Sequence, residues 1–220
     1  MKFLILLIIS IFCSSLMARD PISGSRFQQL SGMKIPQDSK SQWDQRYSRS
    51  NFIYGKSPAH FLSENYQFIP FESTVLDMGM GEGRNAVFLA QKGYKVTGID
   101  ISSVAVKKSY LLAQEFGVKI KGIAASLKDY KIDPNSYDAI ICFYYVDRSL
   151  IGKIKEWLKP GGILIYEAHT TKENRSRSEE EGNFLKEQEL LTLFKGMRVL
   201  KYEEPLHEKE FRSSIILMKE

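Results

Sequence analysis

Thiols are almost missing from this chain. Only Cys13 and Cys142 occur among 220 residues, with no CxxC pair and no Cys/His cluster. Removing the N-terminal segment that holds Cys13 leaves one cysteine and excludes an internal disulfide; without a ligand cluster no metal site is expected. Concentrated charge is missing too. The net charge of +5 comes from 31 basic residues scattered among 26 acidic ones, so no basic face forms and no nucleic-acid partner is expected. No internal repeat occurs. The one long apolar run, Phe3–Phe12, falls short of the about 20 residues that span a bilayer. What remains, 43% hydrophobic and 26% charged residues, is the make-up of a soluble globular domain with a sizeable core.

The first residues read MKFLILLIISIFCSSLMARD. Lys2 supplies a positive start, the apolar run follows, and small residues lead to Ala18, which is the layout of a secretory signal peptide. Residues 1–18 are therefore expected to direct export, residues 19–42 to act as a linker, and residues 43–220 to form the domain. After signal removal no stable membrane span is expected. Two other readings stay open: an uncleaved anchor, and a cytoplasmic protein begun at Met33, from which MKIPQDSKSQWDQRY makes a plausible opening.

Beyond residue 40 strands and helices alternate. TVLDM (Thr74–Met78), KVTGID (Lys95–Asp100), KIKGIAA, YDAIICFYY and ILIYEAH read as five buried strands. Between them lie NAVFLAQKG, a helix stopped by Gly93; a helix opened by Ser102 or Ser103 with Val104, Leu111, Leu112 and Phe116 on its apolar face; and SLIGKIKEWL, ended by KPGG. EQELLTLF forms a last helix before two strands, MRVLKYEE and EFRSSIILMKE. Those two lack a helical crossover and should pair antiparallel. The expectation is an α/β fold: a doubly wound, mostly parallel seven-stranded sheet with an antiparallel C-terminal strand. The polar stretch Thr170–Asn183 after the fifth strand reads as a mobile loop, either a lid over the binding edge or an uninvolved surface loop.

The segment VLDMGMGEGRNAVFLA carries the chemistry. Gly79, Gly81 and Gly83 fall between a strand and a helix, at the carboxyl edge where ligands of open α/β sheets bind. Asp100 ends the next strand, where a carboxylate can accept both hydroxyls of an adenosine ribose. GEGRNA also fits the dinucleotide pattern G-x-G-x-x-G/A. Asp77 weighs against a dinucleotide, because a carboxylate before the glycines opposes a pyrophosphate and welcomes an ammonium or sulfonium. S-adenosyl-L-methionine is the cofactor so expected.

At these residues the chain resembles the class I S-adenosylmethionine-dependent methyltransferases. VLDMGMGEGRNAVFLAQKGYKVTGIDIS is similar to that family's first two motifs, and YDAIICFYY and LKPGGILIYEAH to its later ones. WDQRYSRSNFIYGKSPAHFL (Trp43–Leu62) resembles the opening of the tellurite-resistance and thiopurine-methyltransferase-like branch. The resemblance implies a Rossmann-like methyltransferase fold and a monomer acting on a small-molecule acceptor, such as a soft sulfur, selenium or tellurium nucleophile. It maps cofactor contacts onto Asp77, Gly79, Gly81, Gly83, Asp100, Ile101, Ser126, Leu127 and Phe143. It sets Trp43, Tyr54, Tyr144 and His169 on the substrate side. Ser126 stands where many relatives carry an acid, and FYYVDRS where many carry a cysteine–histidine pair, so no catalytic residue is carried over.

Each of these residues also has a plainer reading. Trp43, Tyr47 and Tyr54 could cover the cofactor or pack an N-terminal helix on the sheet. Arg84 and Asn85 open a helix; Cys142 suits a small core hydrophobe; His60 packs or caps, and His207 lies in a turn. Two rival functions remain: a binding protein without catalysis, and a nicotinamide-dependent oxidoreductase.

Overall fold

The structure, a computed structural model, describes residues 39–170, 184–205 and 211–220. The expected signal segment, nearly all of the linker, Met33, the rest of the loop after Thr170 and His207 lie outside the described residues.

Among the described residues seven strands form one sheet in the order β3-β2-β1-β4-β5-β7-β6. They are β1 (Thr74–Met78), β2 (Lys95–Asp100), β3 (Lys121–Ala124), β4 (Tyr137–Phe143), β5 (Leu158–His169), β6 (Arg198–Glu203) and β7 (Arg212–Met218). Strands β1 to β5 pair in parallel. β7 runs antiparallel to both β5 and β6, so the last strand is the reversed one, as its short connection required. The chain leaves β1 towards β2 on one side and returns to β4 on the other. That reversal opens a crevice above the carboxyl ends of β1 and β4.

Helices α1 (Ser39–Tyr47), α2 (His60–Asn65), α3 (Arg84–Gln91), α4 (Ser103–Glu115), α5 (Ile151–Trp157) and α6 (Glu189–Leu193) accompany the sheet. The central strands are mostly apolar because both faces are covered. Leu76, Met78, Ile140 and Leu164 pack on one face with Leu150, Ile154, Trp157 and Phe194. Val75, Ala139, Ile141 and Ile165 pack on the other with Phe61, Leu62, Ala86 and Leu89.

Three expectations change. In α4 the buried face is Ala105, Val106, Ser109, Leu112 and Ala113, while Leu111 and Phe116 are exposed and Val104 is half-buried. The helix presents small residues because it lies hard against the glycine loop: a Cβ on Gly83 would stand 2.6 Å from that of Ser109. KPGG is not outside the sheet but within β5, where a register shift carries the pairing from Tyr137–Leu158 to Ala139–Ile163. β4 ends at Phe143; Tyr144 lies beyond it at φ 59°, a left-handed backbone unusual for a tyrosine.

Candidate active site

β1 delivers Asp77 and Met78 to the crevice and stops, since the next residues bend away. Gly79, Gly81 and Gly83 have φ of 65°, 54° and 85°. At Gly81 and Gly83 this conformation is coupled to close approach. A Cβ on Gly81 would lie 2.9 Å from the Tyr47 hydroxyl, and one on Gly83 would overlap Ser109, so neither position takes a side chain. Gly83 precedes α3, whose Val87 N–H donates to the Gly83 carbonyl at 2.8 Å. Gly79 N–H donates to Ile99 O at 2.9 Å, which pins the loop to β2.

Asp100 closes β2. Its Oδ2 accepts from Gly81 N–H and its Oδ1 from Ser102 N–H, each at 2.8 Å. The carboxylate therefore shapes the glycine loop as well as facing the crevice. Each oxygen keeps a further lone pair for a ribose hydroxyl. Burial raises its carboxyl, and the N–H groups of Ser102 and Gly81 oppose that.

Asp77 differs. It is buried, and its Oδ2 has no hydrogen-bond partner. Burial lifts its carboxyl to about 8, and the charge of Asp100 adds to the shift; Arg84 and the Ala86 N–H pull the other way. An orphaned acid beside a cradle that any Cβ would fill suits a ligand with a cationic end and does not suit a pyrophosphate. The residues fit S-adenosylmethionine on both counts.

The adenine side is simpler. Ile101 is half-buried and Leu127 buried. Ser126 Oγ accepts from Lys128 N–H at 3.3 Å and its carbonyl takes Tyr130 N–H at 2.9 Å, so Ser126 shapes the turn that presents Leu127.

A strap from α1 crosses the glycine loop. Asp44 accepts from Ser102 Oγ at 2.6 Å, and Lys108 donates to the carbonyls of Tyr47, Arg49 and Asn51. Lys108 also pairs with buried Glu82, whose Oε2 takes Ile53 N–H at 2.8 Å. Tyr47 is thereby buried against Gly81. Trp43 stacks on Tyr47 at 5.6 Å between centroids, and Arg46 lies over both Trp43 and Tyr54. The aromatic seam and the cover over the loop are one feature here. Asp44, Glu82 and Lys108 escaped the sequence reading because each resembles an ordinary surface charge.

On the other side of the crevice, Phe143 is buried and Tyr144 is 37% exposed. The Tyr144 hydroxyl donates to Glu167 Oε1 at 2.7 Å, and its ring lies 4.7 Å from that of His169. The Arg84 guanidinium stands over the Tyr144 ring at 5.7 Å. Tyr145 packs over Gly79, where a Cβ would come within 3.0 Å of its ring. Asn85 is buried, its Oδ1 accepting from Ala59 N–H. Cys142 is buried and donates to Tyr145 O; burial pushes its thiol well up, in keeping with a core role. His60 is exposed beside Glu64. Among the described residues no cluster of metal-ligating side chains occurs, and no helix is long and apolar enough to cross a membrane.

A methyltransferase domain family matches residues 75–162. The ubiquinone biosynthesis O-methyltransferase of Serratia proteamaculans (strain 568) is 29% identical over 102 residues, covering 44% of this chain and 42% of that protein. The corresponding protein of Yersinia pestis (strain Pestoides F) matches to the same extent. The chain thus spans less than half the length of these curated relatives. Among solved structures, a SAM dependent methyltransferase from Aquifex aeolicus superposes with a TM-score of 0.58 at 20% identity, covering 71% of this chain and 87% of that one. TehB from Haemophilus influenzae gives 0.60 at 19% identity, covering 82% and 67%. These structural likenesses carry the fold; the domain match and the acid-bearing cradle indicate S-adenosyl-L-methionine as the cofactor. Residues 75–162 match a methyltransferase domain family, and the sheet has the fold of the class I S-adenosylmethionine-dependent methyltransferases.

Proposed function

We propose that the protein transfers a methyl group from S-adenosylmethionine to a small-molecule acceptor. The single observation that carries the reading is buried Asp77, with Oδ2 unpartnered just before the loop of alternate glycines. Asp77 would hold the ammonium end of the methionine portion, the Gly79–Gly83 loop would pass along it, Asp100 would take the ribose, and Ile101 and Leu127 would flank the adenine. When bound, the cofactor supplies an electrophilic methyl group on a sulfonium sulfur. The chain contributes alignment and exclusion of water, and proximity alone is worth ~7–11 kcal/mol of barrier.

The finer assignment, to the tellurite-resistance and thiopurine-methyltransferase-like branch, draws support from the Trp43–Leu62 segment and from the fold shared with TehB. Turnover with labelled S-adenosylmethionine, screened over thiols, thiopurines, phenols and selenium and tellurium oxyanions, tests both levels. Transfer to none of them in a protein that binds the cofactor favours a binding protein.

Export belongs to the proposal as well, on the N-terminal sequence alone. It sits awkwardly with a cofactor made from ATP inside the cell. Intact mass of the native protein decides it: a start near Arg19 supports export, and a start at Met33 with cytosolic fractionation defeats it.

A further inference from the structure

Glu167 is a fully buried carboxylate that binding of the cofactor leaves unused. It interrupts the apolar β5 run at the crevice end, two residues before His169. Three donors surround it. The Tyr144 hydroxyl gives to Oε1 at 2.7 Å, the Ser214 hydroxyl gives to Oε2 at 2.7 Å, and the Arg212 guanidinium stands 3.8 Å from Oε2. Tyr144 is held at both ends by the same residue, because its N–H also donates to the Glu167 carbonyl at 2.8 Å. A left-handed tyrosine immediately after the strand that carries the reacting edge is backbone strain kept at a site.

The polarity of this contact restricts what Tyr144 can offer. A carboxylate accepts only, so the phenol hydrogen is committed to Glu167, and what the phenol oxygen has left is lone pairs. Burial, and then the charge of Glu167, raise the phenol well above its ordinary range, against Arg84 and Arg212, so it keeps its hydrogen. The groups facing it are Arg84 from α3, Glu167 and His169 from β5 and Arg212 from β7.

We infer that Tyr144 and Glu167 form a proton relay for an acceptor bearing an ionisable hydroxyl, with Tyr144 as the catalytic residue and Glu167 positioning it and taking the proton. The inference rests on the methyltransferase reading, not on the finer branch assignment, and it narrows the substrate class towards hydroxyl compounds and away from soft anions. The acceptor oxygen bonds to the methyl carbon as the carbon–sulfur bond breaks. Its proton passes to Tyr144 Oη while the proton of Tyr144 passes to Glu167. The positive charge lost at sulfur matches the negative charge lost at Glu167. A thiolate or oxyanion brings no proton and gains nothing from this arrangement, so a hydroxyl compound is the favoured acceptor.

The test uses full-length protein and 4-nitrophenol, whose anion absorbs visible light. In mildly acidic buffer, protein saturated with S-adenosylhomocysteine should bind the probe as its anion. Tyr144→Phe and Glu167→Gln should bind it neutral or not at all while keeping wild-type affinity for S-adenosylmethionine. With labelled S-adenosylmethionine at neutral pH, transfer to unsubstituted phenol, which is un-ionised there, should fall about 10²–10⁴-fold in both variants. Transfer to thiophenol, largely a thiolate at that pH, should fall far less than transfer to phenol. Glu167→Asp should recover part of the rate and move the acid limb of the pH profile. Variants matching wild type in probe ionisation and rate overturn the relay, as does a cofactor-loaded protein that takes up no phenol. Failure of wild-type protein to bind S-adenosylmethionine overturns the methyltransferase reading, and the relay with it.

Discussion

The hydroxyl of Tyr47 stands 2.9 Å from the point where a Cβ on Gly81 would project. The strap residue closes on the loop because position 81 has no side chain. Gly81→Val should therefore displace Tyr47, strain a φ of 54°, and abolish S-adenosylmethionine binding while the rest of the sheet stays folded. Gly81→Ala combined with Tyr47→Phe should recover part of the affinity that Gly81→Ala loses, because the closest contact is the hydroxyl. Calorimetric titration with a circular-dichroism check on each variant reads this. Normal binding by a folded Gly81→Val variant would leave the glycines only a turn-forming role.

Asp100 serves two masters. It accepts from Gly81 and Ser102 in the protein and would accept from the ribose in the complex. Asp100→Ala should weaken cofactor binding at least about tenfold, since hydrogen bonds to a charged group contribute roughly 1.5–3 kcal/mol. It should also lower stability by about 1–3 kcal/mol, because two buried N–H groups lose their acceptor. Urea unfolding of the ligand-free protein separates the losses. Unchanged affinity would remove Asp100 from the ribose.

Much of the frame is legible in the amino-acid sequence. β1 and β2 fall where TVLDM and KVTGID place them, each a short segment rich in Val, Leu, Ile and Met that covered faces favour. The reversed last strand followed from a connection too short for a crossover. The apolar face of α4 was misjudged for a local reason. Large residues were weighted as core, but the packing against Gly83 admits only small ones such as Ser109. The left-handed turn at Tyr144 has no glycine or asparagine to mark it. Glu167 did leave a signal: one acid inside ILIYEAH, a run otherwise apolar up to its final histidine. The strap through Asp44, Glu82 and Lys108 left none, because its partners are backbone carbonyls and amides far away in sequence.

Asp77 makes ligand-free stability depend on pH in an unusual direction. Its folded-state carboxyl lies at about 8, above the ordinary 3.8, so the native state holds a proton that the unfolded chain has lost. The stabilisation is complete below pH 3.8 and is lost as pH rises towards about 8, where the curve flattens. Asp77→Asn should be the more stable protein near pH 8 and should show a flatter profile between these limits. Chemical unfolding at a series of pH values measures it. A wild-type profile indistinguishable from that of Asp77→Asn would contradict the burial argument.

The same buried acid supplies the most direct test of the cofactor. A cation brought to Asp77 favours its charged form, so binding should expel the proton. Wild-type protein is titrated calorimetrically with S-adenosylmethionine at about pH 6.5, below the ~7.7–8.0 of a free α-amino group, in two buffers of different ionisation enthalpy. The account predicts saturable binding with close to one proton released, and no release in Asp77→Asn. Absence of binding, or binding with no proton released by the wild-type protein, would contradict it.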